Sequence, residues 1–230
     1  VLGEQAADED RTRALTLLGL DTARPLRVVA VASGAGRDAG ADAVALVARG
    51  KPLGARVAVV GGVAAVVLQP REGPDSVVPT LSETLALRGR TLPDAVRIGV
   101  GDAVDGLAAR TSWLQARLAT RFAAKSRPLV VHEDLGAVTL LAELPVEQLR
   151  AQPDVLALNA LAASGDLETL EAFCRTGSLR QAAVALHRHH SSVAARLAHV
   201  EDALGWSLDD PAGRFRARLA LVARRLAESA

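Results

Sequence analysis

The chain has 230 residues, half of them hydrophobic, with three Phe, two Trp, one Cys, no Tyr or Met and a formal net charge of +1. That length holds one large domain or two ordinary ones, with cores built from Leu, Val and Ala. The near-neutral balance excludes a global basic field for nucleic acid, and a lone cysteine, Cys174, excludes an internal disulfide and fits a reducing cytoplasm. No stretch has the length and apolarity of a membrane span, and the N-terminus lacks a signal-peptide layout. Beginning at Val1 without any Met, the chain reads as a fragment lacking its start and an N-terminal sensory region.

Glu4 to Leu18 reads as a helix leading into the turn Gly19–Pro25. Leu26–Ala32 is an unbroken apolar run of the kind that makes a fully buried strand. The Gly-rich segment Ser33–Gly40 lacks the spacing of a phosphate loop or dinucleotide fingerprint and is expected to be a mobile loop. Ala41–Ala48 looks helical, and Gly50–Gly54 is a loop. Arg56–Val60, Gly61-Gly62 and Val63–Leu68 form a strong hairpin signal, because paired glycines supply the positive φ angles of a two-residue turn. A helix around Asp75–Leu87, a strand at Ala95–Gly101, a long helix over Asp105–Ala124 and a short strand at Pro128–His132 follow. This order predicts an α/β sandwich with an antiparallel sheet and helices mainly on one face. Gly136–Pro153 reads as a helical hinge.

The C-terminal part carries the most informative pattern. Ser178 is a polar N-cap, and Ala182, Ala183 and Leu186 follow at helical spacing. The chain turns around Arg188-His189, and a second helix starting near His190-Ser191-Ser192 points Val193, Leu197 and Val200 inward. Small residues at Ala182 and Ala183 let two helices cross closely over a short turn, as in a helix-turn-helix. Polar residues opening the second helix are those a major groove meets first. His187–His199 contains two arginines, four histidines and no acid, whereas residues 1–154 balance 18 basic against 18 acidic side chains. Cys174 falls in the apolar pattern of a preceding helix and reads as a buried structural thiol. In the last helix, after Pro211, Phe215, Leu219, Val222 and Leu226 share one face, with Arg214, Arg218, Arg224 and Arg225 mostly elsewhere.

Three pieces in order resemble the C-terminal domain of the PucR/CdaR family of bacterial transcriptional regulators: Leu167–Phe173 as its leading helix, Ala185–His190 running into Arg196-Leu197 and Val200-Glu201 as its reader, and Leu204–Phe215 as its Asp-Asp-Pro closure. The family has a hydrophobic residue where Arg188 stands, an Asn-Thr pair near Ser191-Ser192, and arginines and an aromatic where Ala194, Ala195 and Ala198 stand. Each absent arginine removes a phosphate contact. The preceding half resembles the family's degenerate GGDEF-like domain. There Gly61-Gly62-Val63-Ala64-Ala65 stands where an active diguanylate cyclase carries its signature, with none of the carboxylates that metal-assisted phosphoryl transfer needs.

The expected fold class is therefore α+β, a GGDEF-like α/β sandwich followed by an all-α helix-turn-helix domain. The expected divisions are a linker helix over 1–24, the GGDEF-like domain over 25–153 and the reader over 154–230. The expected function is sequence-specific binding of double-stranded DNA by a cytoplasmic homodimer that responds to a small-molecule effector. Arg180, Arg188, His189, His190, Ser191, Ser192 and Arg196 are placed at DNA, with Arg196 on phosphate unless Glu201 ties it up internally. No catalytic residue, cofactor, metal or membrane contact is expected. Zinc takes four ligands, structural zinc sites usually include Cys, and the side chains of adjacent His189 and His190 are expected to diverge. Asp102, Asp105, Glu133 and Asp134 read as N-caps and solvated turns. Two rivals are a module with decayed DNA binding, favoured by Ala194, Ala195 and Ala198, and a cyclase-related enzyme.

Overall fold

A computed structural model describes residues 1–48, 54–88, 96–162 and 164–229. It divides into two compact units, Val1–Thr139 and Leu140–Ala230.

In the first unit, α1 (Asp8–Leu17) precedes β1 (Arg27–Ala32), α2 (Ala39–Val47), β2 (Ala55–Val60), β3 (Val63–Leu68), α3 (Val77–Arg88), β4 (Arg97–Val100), α4 (Ala109–Thr120) and β5 (Leu129–Val131). The sheet order is β2-β3-β1-β4-β5. All neighbours are antiparallel except β4 and β5, which run parallel, so the sheet is mixed and the expected all-antiparallel sheet is corrected. The reason is the crossover through α4, which returns the chain to the same end of the sheet before β5 begins.

Helices cover both faces of the sheet, which corrects the one-sided layering expected. Val29, Val31, Ala64, Val66, Ile98 and Val100 pack with Ala43 and Leu46 of α2 and Leu81 of α3. The alternate residues Val28, Ala30, Ala65 and Val67 pack with Leu15 of α1 and Ala109, Trp113 and Ala116 of α4. Successive strand side chains point to opposite faces, so a continuous apolar run such as Val28–Val31 is what a doubly covered strand requires. That run is buried throughout, as its sequence predicts.

Gly61 and Gly62 turn β2 into β3 with φ of 58° and 81°, the left-handed pair of a type I′ hairpin. In β4 and just past it, glycine has a different cause. A Cβ on Gly99 would lie 2.0 Å from the Ala116 carbonyl oxygen, and one on Gly101 2.0 Å from that of Ser112. Helix α4 therefore lies directly on the strand backbone. The helix expected over Asp105–Ala124 is shorter, with a 3₁₀ turn at Gly106–Ala108 before it. The helix expected from Asp75 likewise begins as a 3₁₀ turn, Pro74–Ser76. The expected loop Gly50–Gly54 falls, except for Gly54, outside the described residues.

Several charges of this unit have partners that their sequence positions did not reveal. Asp42 receives hydrogen bonds from Ser33 Oγ (2.6 Å) and from Arg37 Nη2 (2.6 Å) and Nε (3.1 Å), which tie the Gly-rich segment to α2. The Arg37 hydrogen bond, the strongest influence, holds the Asp42 carboxyl below the usual carboxylate range against the cost of its burial. Asp102 accepts from Gln115 Nε2 and His132 Nδ1, Glu133 pairs with buried Arg27, and Asp134 pairs with Arg127. Of the four acids read as caps or solvated turns, these three also hold specific partners, while Glu133 and Asp134 do lie half-exposed in a turn. Asp105 occupies the N-cap of the 3₁₀ turn, with no side-chain cap hydrogen bond.

The second unit is helical. After a 3₁₀ segment over Gly136–Glu143 come α5 (Val146–Arg150), α6 (Pro153–Ala160), α7 (Asp166–Thr176), α8 (Leu179–Ala185), α9 (His190–Leu204) and α10 (Pro211–Glu228). Its core joins Leu158, Leu170, Phe173, Ala182, Val193, Leu197, Val200, Ala217 and Leu221. Cys174 lies in this core, and burial pushes its thiol up to about 11. Asp210 caps α10, accepting from the amides of Ala212 and Gly213. The inward face of α10 is Gly213, Ala217, Ala220, Leu221 and Leu226, so that of the Phe215-Leu219-Val222-Leu226 stripe only Leu226 is fully buried. Phe215 and Leu219 of that stripe are exposed, at 67% and 40%. The inward face is chosen by close approach: a Cβ on Gly213 would sit 1.9 Å from the Ser207 carbonyl oxygen.

Candidate nucleic-acid interface

The candidate interface is built on three consecutive helices. Helix α7 ends at Gly177, and Ser178 then caps α8 by accepting from the Gln181 amide at 3.5 Å. The end of α8 explains the tight turn. The Arg188 amide donates to the Ala183 carbonyl at 2.9 Å and the His187 amide to that of Val184 at 3.1 Å, the paired bonds of a Schellman motif. This motif requires one left-handed residue, and here it is His187, with φ of 51°, the sole non-glycine among the described residues with positive φ. Glycine is usual there because a Cβ strains that conformation.

Helix α9 opens on His189, whose side chain caps it. His189 Nδ1 lies 2.7 Å from Ser191 Oγ and accepts from the Ser191 amide at 3.4 Å. Because His189 is extended while His190 is helical, the two rings come together at 4.2 Å between centroids. The expectation that adjacent histidines diverge is thereby corrected, since it rested on their adjacency alone and not on the change of backbone conformation between them. Val193, Leu197 and Val200 are buried, as their spacing predicts, and Ala182 and Ala183 meet them.

Arg180, Arg188, His189, His190, Ser191 and Ser192 are all exposed, and five of them form one continuous surface across the turn and the first turn of α9. Arg196 stands apart. Its Nη1 donates to the Ser164 carbonyl at 2.7 Å and to Asp166 Oδ1 at 3.3 Å. Glu201, the partner considered from sequence, instead accepts from Ser207 Oγ and the Leu208 amide, closing the turn after α9. Asp166 itself is 4% exposed and also receives His199 Nδ1 at 2.7 Å and Ser164 Oγ at 2.6 Å. Burial is the largest influence on its carboxyl and opposes the charge. Hydrogen bonds from Ser164 and His199 and the charges of His199 and Arg196 together still hold it below the usual carboxylate range. Sequence reasoning missed Asp166 because its partners lie 30 and 33 positions away.

The tip of the β2–β3 hairpin carries Gly61, Gly62 and Val63, with no carboxylate in either strand. Among the described residues no cluster of His, Cys, Asp and Glu is arranged to hold a metal, and no helix is long and apolar enough to cross a membrane.

The model of the GGDEF-like domain family matches residues 3–122, and that of the PucR C-terminal helix-turn-helix domain matches residues 166–223. The chain belongs to the PucR-type DNA-binding transcriptional regulators. In this PucR-type chain the helix-turn-helix match begins at Asp166 and takes in α8, the His187 turn and α9. The crystal structure of a regulator of polyketide synthase expression from Bifidobacterium adolescentis is similar over 98% of this chain and 94% of that one, with 17% identity and a TM-score of 0.40. No curated protein matches.

Proposed function

We propose that this regulator reads a specific duplex sequence with the surface formed by Arg188, His189, His190, Ser191 and Ser192, flanked by Arg180. The observation that supports this is the α8–α9 turn: its Schellman bonds and His189 cap leave the exposed polar first turn of α9 projecting from a packed core. The first turn of such a helix is where base edges are met. Residues 154–230 form the reader, residues 25–153 a GGDEF-like domain whose last part, 136–153, serves as a helical hinge, and 1–24 a linker helix. The regulator works in the cytoplasm as a homodimer on a two-fold site and responds to a small-molecule metabolite.

Selection from a random duplex library tests the reading. The wild-type chain enriches a two-fold motif, and His190→Ala or Ser191→Ala changes the preferred bases. Enrichment of no sequence would leave the rival in which DNA binding has decayed, which the small Ala194, Ala195 and Ala198 favour. Light scattering at tens of micromolar checks the dimer, and a monomer there counts against it.

The GGDEF-like unit makes no cyclic dinucleotide in this proposal, since its hairpin lacks the acids that hold metal ions. Incubating the purified chain with GTP and magnesium tests that, and detection of a cyclic product overturns it.

A further inference from the structure

The apolar packing of α9 rests on a narrow face. Its buried face is the stripe Val193, Leu197 and Val200, continued by partly buried Leu204 and flanked by the short side chains of Ala194 and Ala198. A helix is about 10 Å across with its side chains, so a roll of some 20° moves a surface group by about 2 Å. That displacement exceeds what a hydrogen bond to a base edge tolerates. Apolar burial is non-directional, whereas charge-assisted hydrogen bonds are directional.

Such bonds are present. Arg196 and His199, three residues apart on one face of α9, both reach Asp166 at the start of α7. The carboxylate is an acceptor, so His199 donates through Nδ1 and its Nε2 is left pointing outward. Ser164 closes the arrangement, giving its hydroxyl to Asp166 and its carbonyl to Arg196. Gly165 lies against the same guanidinium, where a Cβ would come within 2.7 Å of Arg196 Nη1.

We infer that Asp166 is a positioning residue for DNA reading, fixing the roll of α9 through Arg196 and His199, and that Arg196 serves this contact instead of binding phosphate. The inference rests on the reading of α9 as the recognition helix. Two phosphate-facing arginines per subunit then remain, Arg180 and Arg188. A dimer is expected to show a slope of log affinity against log salt of about −4, at roughly −0.9 per neutralised phosphate.

The test uses the whole chain, a random-sequence duplex and the duplex selected by the wild-type protein. Asp166→Asn is expected to weaken binding to the selected duplex roughly tenfold while affecting the random duplex little, so that specificity falls. Asp166→Glu is expected to recover part of the loss. Arg196→Ala is expected to leave the salt slope unchanged and to add little in the Asp166→Asn background, as members of one network do. A slope flattened by about 0.9 per subunit would return Arg196 to phosphate and overturn the inference. So would an Asp166→Asn protein that melts lower yet keeps its specificity at low temperature, since Asp166 would then only support folding. Nitrogen-15 spectra of the His199 ring supply a readout independent of DNA. The Nδ1–H form is expected to be fixed in the wild type and to be lost in Asp166→Asn, and a signal identical in both removes the contact. Wild-type protein that binds no duplex sinks the recognition reading and the DNA consequence with it, while the ring spectra still decide whether the contact exists.

Discussion

The β2–β3 hairpin and the α8–α9 turn meet the same backbone demand with different residues. Both need left-handed φ: Gly61 and Gly62 supply it in the hairpin, at 58° and 81°, and His187 supplies it between the helices, at 51°. Glycine does so without a Cβ and leaves nothing at the tip. Histidine carries strain and sets a polar ring beside the exposed first turn of α9. The same contrast runs through the two units. The sheet unit is fixed by backbone contact, with α4 lying on Gly99 and Gly101, whereas the helical unit adds side-chain caps and the Asp166 cluster to its one such contact, at Gly213.

The largest effect should come from breaking backbone contact in the sheet unit. Gly101→Ala places a methyl group against the Ser112 carbonyl and hydroxyl and is expected to cost about 3 kcal/mol or more. Urea unfolding measures it, and a midpoint equal to the wild type would show that α4 yields freely. In the helical unit, Asp210→Ala removes the acceptor for two amides at the start of α10 and should cost about 1 kcal/mol. His187→Gly sharpens the contrast from the other side, because relief of left-handed strain should stabilise the chain by about 1 kcal/mol. Differential scanning calorimetry reads both, and a lower melting temperature for His187→Gly would mean that the ring itself holds the turn.

Acid acts on both units, and more gently. The Asp166 carboxyl lies below its unfolded value when folded, so its contribution is complete above the ordinary carboxylate range of roughly pH 4 and is lost as pH falls through the folded value. Asp42 behaves in the same direction in the sheet unit. Asp166→Asn is expected to flatten the acid limb of melting temperature against pH. A limb unchanged in that variant would assign acid sensitivity elsewhere.

Local pattern carried much of the fold. The buried run in β1, the Gly61-Gly62 turn, the Ser178 cap and the inward trio of α9 are all properties of neighbouring residues, and all stand where their spacing predicts. What local pattern could not carry was the second layer of helices, because the unbroken burial of β1 shows that both faces are covered without saying by what. The parallel β4–β5 pair depends on a crossover whose direction no single strand encodes. The face of α10 went to Ala217, Ala220 and Leu221 because Gly213 must approach Ser207, a contact invisible in an amphipathic stripe. At the candidate interface the exposed first turn of α9 was legible, while the partner of Arg196 was not. A sequence shows that an arginine is present, but an acid 30 residues earlier decides what it holds.

The placement of the two tryptophans gives each unit its own optical reporter. Trp113 is 3% exposed in the sheet unit with the Arg117 guanidinium 5.8 Å from its ring centre, and half-buried Trp206 in the helical unit has that of Arg216 at 4.8 Å. With no tyrosine in the chain, emission excited in the indole band comes from these two rings alone. Replacing Trp113 with Phe silences the sheet unit and leaves the DNA reader visible, and replacing Trp206 does the reverse. One protein in two colourless halves can thus be watched unfolding one half at a time, without an attached dye.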